Sequence, residues 1–417
     1  MIRMVSIAIM GHGVVGSGVA EIITTHKNKL FNSVGEEIYI KKILDLREFP
    51  DSPLADRFTK NFDDIINDRE IRIVVEVMGG TNPAYDFVKR CLLAGKSVVT
   101  SNKELVAKHG AELLAIAKEE NANFLFEASV GGGIPIIRPL NQCLVANIVD
   151  EIAGILNGTT NFILTKMITD GMTFDDALKL AQDLGFAERN PEADVEGHDA
   201  CRKICILASL AYGKHVYPDA VHTEGITKIT LEDVEFANCY NSVIKLIGKV
   251  KKLEDGKMDI LVAPMVIPKS SQLANINYEF NGIMVRGDCT DDVVFYGKGA
   301  GKLPTASAVV ADVVDCVKHL KTRKFLFWTD GTGENIIPYT ESKTAMYVRA
   351  KSNNVDDAYS KAVEAFATLD RIENKNAKEN EFAFVTPVMT YAEIQEKLDS
   401  LKADGIEVLS EIRIGNL

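Results

Sequence analysis

Apolar positions in the first 130 or so residues come in short blocks, and their spacing alternates between a strand-like and a helix-like period. Residues 5–10 form a β-branched run that stops at Gly11, and residues 14–23 then place apolar side chains at helical spacing. A second strand is predicted over 38–46. Residues 71–78, IRIVVEVM, are apolar at nearly every position, as a strand buried on both faces of a parallel sheet requires. Asn82 and Pro83 predict a helix start, with the asparagine as cap and the proline at the first helical position. A short strand over 97–100, a helix over 104–120 and a strand over 123–127 follow. Alternation of this kind predicts an α/β fold with a doubly wound parallel sheet of Rossmann type.

After Gly131-Gly132-Gly133 the pattern changes. Helical runs are predicted near 135–146, 159–169, 174–184 and 196–212, with Thr173 and Asp176 spaced as a capping box. Residues 226–297 read as strands with Gly- and Asn-rich turns, 303–320 as a helix, and 323–339 as linker-like. Residues 345–417 read as strand, helix, strand, helix, strand. The predicted organisation is a first domain over 1–134 completed by the helix 303–320, an α+β domain over 135–302, a linker over 321–344 and a small α+β unit over 345–417.

Charge and cysteine content narrow the setting. A formal net charge of −12 repels phosphate backbones and argues against a nucleic-acid partner. No apolar run approaches the ~20 residues needed to cross a bilayer, so no membrane association is expected. The opening MIRMVSIAIMGHG lacks a signal peptide's pattern and reads as a first strand. Seven cysteines, an odd number without CxxC, predict a reducing, cytoplasmic setting with neither disulfide framework nor zinc site.

Gly11-His12-Gly13-Val14-Val15-Gly16 fits GxGxxG between a strand and a helix. There the glycines allow a tight turn, approach to a pyrophosphate and close helix packing, and the helix amides face the phosphates. The bland alternative is an ordinary glycine-rich turn. Asp45, near the end of the second strand, suits the ribose of NAD, whereas Arg47 and Lys41-Lys42 suit the 2′-phosphate of NADP. Ser101-Asn102-Lys103 follows a strand whose C-terminus points to the ligand crevice of such a sheet. Asp199 and Lys203 are four apart on a helix whose continuation is apolar on nearly every side. An ion pair at the mouth of a buried helix is a candidate acid–base site, with a surface salt bridge as the alternative. Glu127 and the loop of carbonyls through Pro135 offer an all-oxygen shell for a hard cation, or a plain hinge.

These motifs, in this order, resemble homoserine dehydrogenase. The resemblance runs from residue 5 to about 315 and rests on GHGVVG, VVEVMGG, VVTSNKELVAKHG, FEASVGGGIPIIRPL, GILNGTTNFILTKM, LGFAERNPEADVEGHDACRKICILASLA and FYGKGAGKLPTASAVVADV. It implies interconversion of L-homoserine and L-aspartate 4-semialdehyde with NAD or NADP, in the service of threonine and methionine synthesis. By matching motif, Lys203 is implied as proton donor with Asp199 in support, and Glu188 and Asp194 as substrate-binding residues. Lys103 is implied as a catalytic contact to cofactor and substrate, and Gly11, Gly13, Val14, Val15, Gly16, Ser101 and Gly301 as cofactor contacts. Glu127 with the carbonyls of Val130, Gly132 and Ile134 is implied as a sodium site. The 135–302 domain is implied to bind substrate and to dimerise, and a homo-oligomer, dimer or tetramer, is expected.

The chain departs from the family in two places. Cys201-Arg202-Lys203 stands where many relatives have Ala-His-Lys, with the lysine kept. The C-terminal unit has the element order of an ACT domain but lacks its Asp-x-Pro-Gly turn, reading Ser352-Asn353-Asn354-Val355-Asp356-Asp357. Two rival readings are another lysine-using amino-acid dehydrogenase on the same scaffold and a non-catalytic dinucleotide sensor; the latter has no need of the Asp199–Lys203 pair.

Overall fold

The computed structural model describes residues 4–320, 322–324 and 326–417, and the chain forms two compact bodies. The first gathers the chain up to Ile148 with Arg202–Pro218 and Phe295–Gly333; the second gathers Val149–Cys201, Asp219–Val294 and Glu334–Leu417.

Six strands cross the first body in the order Phe58–Thr59, Glu37–Leu44, Met4–Met10, Ile71–Glu76, Ser97–Thr100, Phe124–Leu125. Every neighbouring pair is parallel. In chain order this is 3-2-1-4-5-6, the doubly wound arrangement whose ligand crevice opens where the order reverses. The reversal falls between Met4–Met10 and Ile71–Glu76. Ile7, Ile9, Ile73, Val74 and Val75 have no exposed surface, which is why these strands are written as unbroken apolar runs. Helix Lys302–Lys318 returns to pack on helix Val14–Thr25 so closely that a Cβ on Gly18 would lie 3.0 Å from that of Ala306. The stretch expected as a linker holds Trp328, which is 1% exposed and donates to His215 Nδ1 at 2.8 Å. Pro83 precedes helix Ala84–Leu93 rather than opening it. Of the helix expected over 135–146, only the π-helical turn Pro139–Cys143 forms.

In the second body, Phe280–Gly287, Val149–Ile155, Ser242–Lys252 and Met258–Pro268 pair antiparallel in that order. Helix Gly158–Asp170 packs on this sheet. Helix Leu231–Cys239 interrupts the stretch expected as strands. Its start is a reciprocal cap in which Thr230 accepts from the Asp233 amide and Asp233 from that of Thr230.

The C-terminal part folds as Met346–Lys351, helix Val355–Phe366, Asp370–Ile372, Glu381–Val385, helix Tyr391–Ala403 and Glu407–Ile414. The strands lie in the order last, first, third, second. Asp370–Ile372, the element without a counterpart in the sequence reading, is three residues long with two exposed, too short to alternate visibly. Helix faces bearing Ala358, Ala362, Phe366, Ile394, Leu398 and Leu401 cover the sheet. The last strand pairs parallel with Met258–Pro268, Met265 opposite Arg413 and Val266 opposite Ile414, so the second body carries one continuous sheet.

Candidate active site

The glycine loop fits a dinucleotide's phosphates. Gly11 has φ +99°, and a Cβ there would meet the Val77 carbonyl oxygen at 2.9 Å; one on Gly16 would reach the Gly11 oxygen at 1.9 Å. Around Gly13 a Cβ would meet nothing within 4 Å, and Gly13 opens helix Val14–Thr25 with no side chain capping its amides. The loop is thus closed on its protein side and open on the other, with the amide-bearing helix end presented to an anion. Asp45 accepts from the His12 amide at 2.8 Å and takes both sides of the Arg47 guanidinium at 3.0 and 2.9 Å. That guanidinium holds the Asp45 carboxyl well below the usual range. The His12 ring stands edge-on to Phe49 and Phe58.

At the ends of the neighbouring strands, Glu76 is wholly buried and accepts from the Thr100 hydroxyl at 2.6 Å and the Met78 amide at 2.8 Å. Burial raises its pKa. Asn102 caps helix Lys103–Glu119 by accepting from the Leu105 amide, and donates to the Gly80 carbonyl at 2.6 Å. Ser101 and Lys103 therefore lie on a turn fixed at both sides, with Lys103 as first helical residue.

The loop from Glu127 is anchored through its own carboxylate. Glu127 is 3% exposed and accepts from the amides of Ile136, Ile137 and Arg138 at 2.7, 2.9 and 2.8 Å. Its amide donates to Asp312, which also receives Arg138 Nη2 at 2.5 Å. Burial pushes the Asp312 carboxyl up to about 7. With three amides on its oxygens and the Arg138 Nε 3.7 Å away, the Glu127 carboxylate does not fit a cation's coordination shell. Gly132 and Gly133 pass the 297–301 loop so closely that a Cβ on Gly132 would lie 2.2 Å from the Gly299 oxygen, and the Gly133 amide donates to Lys298. Gly301, with φ +125°, opens the return helix.

Helix His198–Tyr212 carries Asp199, 4% exposed, and Lys203, 7% exposed, one turn apart. Ile204, Cys205, Leu207 and Ala208 have no exposed surface, as the apolar continuation predicted. In the second body Asp199 is brought to Asp194 by Asn157, whose amide nitrogen donates to Asp194 Oδ1 at 2.7 Å and to Asp199 Oδ2 at 2.9 Å. Glu188 lies on an exposed turn, where its carbonyl accepts from Gln182. In the sequence Asn157 stands out only as part of GILNGTTNFIL. An asparagine ahead of Gly-Thr-Thr signals a helix cap, and its second task depends on residues 37 and 42 positions away.

The homoserine dehydrogenase family model matches residues 135–314, and the model of the homoserine dehydrogenase NAD-binding domain matches 11–127. The homoserine dehydrogenase of Bacillus subtilis is 42% identical over 76% of this chain and 74% of its own. That of Pseudomonas aeruginosa is 35% identical over 95% and 94%. The crystal structure of a homoserine dehydrogenase from Thiobacillus denitrificans superposes with a TM-score of 0.90 at 33% identity, covering 99% of each chain. A hyperthermophilic archaeal homoserine dehydrogenase solved with NADPH gives 0.64 at 28% identity over 75% of this chain and 97% of its own. A glycine loop at the switch point, a buried Asp–Lys helix and relatives aligned along nearly the whole length agree: the chain belongs to the homoserine dehydrogenase family.

Proposed function

We propose that Lys203 and Asp199 carry the proton in the interconversion of L-homoserine and L-aspartate 4-semialdehyde by this NAD(P)-dependent oxidoreductase. The observation that supports this most is a lysine 7% exposed, one turn from an aspartate 4% exposed, on a helix otherwise sheathed in apolar side chains. A bound NAD(P)H supplies the hydride. Lys203 stabilises the alkoxide oxygen that forms at the carbonyl and gives it a proton; in the reverse direction it accepts the hydroxyl proton. Asp199, one turn away on the same helix, aims that lysine. Glu188 and Asp194 take the substrate ammonium, and Lys103 meets cofactor and substrate from the strand-end turn. The glycine loop, Val14, Val15, Ser101 and Gly301 hold the dinucleotide. Asp45 is closed on Arg47, so the ribose end offers a carboxylate and a guanidinium together, and NADH and NADPH are to be compared side by side. A sodium ion at the 127–134 loop takes the carbonyls of Val130, Gly132 and Ile134, with Glu127 as anchor; no proton step passes through it. An ACT-like reading of the C-terminal unit is supported by its order of strands and helices.

The test is Lys203→Met. Semialdehyde reduction falls by ~10²–10⁴-fold, while NADPH affinity, read by fluorescence titration, stays within twofold. Near-normal turnover removes Lys203 from the mechanism.

A further inference from the structure

We infer that Asn157 is a positioning residue that clamps Asp194 and Asp199 together and thereby sets the geometry in which Lys203 works, an inference that rests on the roles proposed above for those three. Asn157 is 5% exposed and stands at the head of helix Gly158–Asp170. Its Oδ1 accepts from the Thr160 amide at 2.9 Å and the Thr160 hydroxyl at 3.1 Å. Because that oxygen is committed to the helix end, the amide cannot turn over, and both Nδ2 hydrogens face the two carboxylates, at 2.7 and 2.9 Å. The helix itself is fixed from within. Four residues on, Asn161 donates to the carbonyls of Ile276, Tyr278 and Phe280, and Lys245 holds the Asn161 oxygen at 3.0 Å.

The chemistry explains why an amide is needed. Two carboxylates sharing one partner raise each other's affinity for a proton unless a donor stands between them. Asn157 supplies that donor without adding charge. It ties Asp194, on the short helix Glu192–Val195, to Asp199 on the lysine helix. The two acids are thus set by one side chain.

Two substitutions separate the clamp from the cap. Serine and aspartate both cap a helix about as well as asparagine. Serine is too short to span the two acids, and aspartate offers them a third negative charge in place of a donor. Asn157→Ser is expected to lower kcat for homoserine oxidation by roughly 10- to 100-fold, the loss of a buried donor to charged acceptors. The KM for homoserine rises less than kcat falls. NADPH affinity stays within twofold, and far-ultraviolet circular dichroism is unchanged. Asn157→Asp is expected to be slower still. Asp199→Ala is the control. If Asn157→Ser turns over within threefold of wild type while Asp199→Ala is impaired, Asn157 is only a helix cap and the clamp is wrong. Activity lost in step with helix content or NADPH affinity also rejects it, as does an aspartate variant as active as the serine one. An active Asp199→Ala would instead overturn the assigned role of Asp199, and the clamp with it.

Discussion

Glu188 and Lys203 were assigned from the same stretch of sequence, yet the fold treats them differently. Lys203 is buried on its helix, and the i, i+4 spacing to Asp199 together with the apolar continuation made that legible from residue types alone. Glu188 is exposed on a turn, where nothing but the motif marks it. If it takes the substrate ammonium, Glu188→Gln exchanges a charged acceptor for a neutral one. Steady-state kinetics should then show KM for homoserine rising about tenfold, the order of a lost charge-assisted bond, with kcat within twofold. An unchanged KM assigns that task elsewhere. Residues that act through others were the ones hidden from the sequence. Glu127 looked like a hard-cation ligand because its loop is rich in carbonyls; only in three dimensions do three amides claim its oxygens. Asn157 was hidden for the same reason, since its partners arrive from a separate segment.

Elements buried on both faces were legible to within a residue or two, as Ile71–Glu76 and Ser97–Thr100 demonstrate, because burial itself dictates their composition. Helix Leu231–Cys239 was missed because its buried side is thin, only Asp233, Phe236 and Ala237. Strand Ser242–Lys252 hides a different kind of exception. Lys245 lies in it with no exposed surface, and its Nζ donates to Asn161 Oδ1, the Ile276 carbonyl and Asn277 Oδ1 at 3.0, 2.7 and 3.1 Å. Burial lowers this lysine from 10.5 to about 7. Between those two values the unfolded chain holds a proton that the folded one has lost. Stability therefore rises with pH across that window, by up to ~1.4 kcal/mol per unit, and this contribution is flat below it. Urea unfolding at pH 7, 8 and 9 should show the rise in wild type and its absence in Lys245→Met. Parallel pH dependences for the two proteins would mean that Lys245 keeps its proton throughout.

On the scale of the whole molecule, the C-terminal unit is built into the sheet of the second body. Glu407–Ile414 pairs with Met258–Pro268, and the Gly415 amide donates to the Val266 carbonyl. Arg349 is 6% exposed and donates to Asp233, itself fully buried, at 2.9 Å and to Glu381 at 2.8 Å; the Tyr347 hydroxyl also reaches Asp233. A unit of this size needs a cover for its small core, and docking on its own chain provides one without calling for a second copy. Three amides of the turn at 352–357, which lacks glycine and proline, are in use. Ser352 donates to Asn380, Asn354 to the Ser352 hydroxyl, and Asp357 to the Asn354 side chain. Those three amides are closed to a ligand, and with no glycine in the turn every amide there lies beside a side chain. Threonine titrated to millimolar concentration is therefore expected to leave the initial rate unchanged. A chain truncated near residue 340 is expected to unfold at a midpoint lower by on the order of 10 °C, because Met258–Pro268 loses its neighbouring strand and Asp233 loses the guanidinium and hydroxyl that pair with it, a combined loss of ~3 kcal/mol. Thermal melts and initial rates of the two chains decide the matter. A truncated enzyme that is as stable as the full chain and has shed a strong threonine inhibition would make the unit a sensor rather than part of the scaffold.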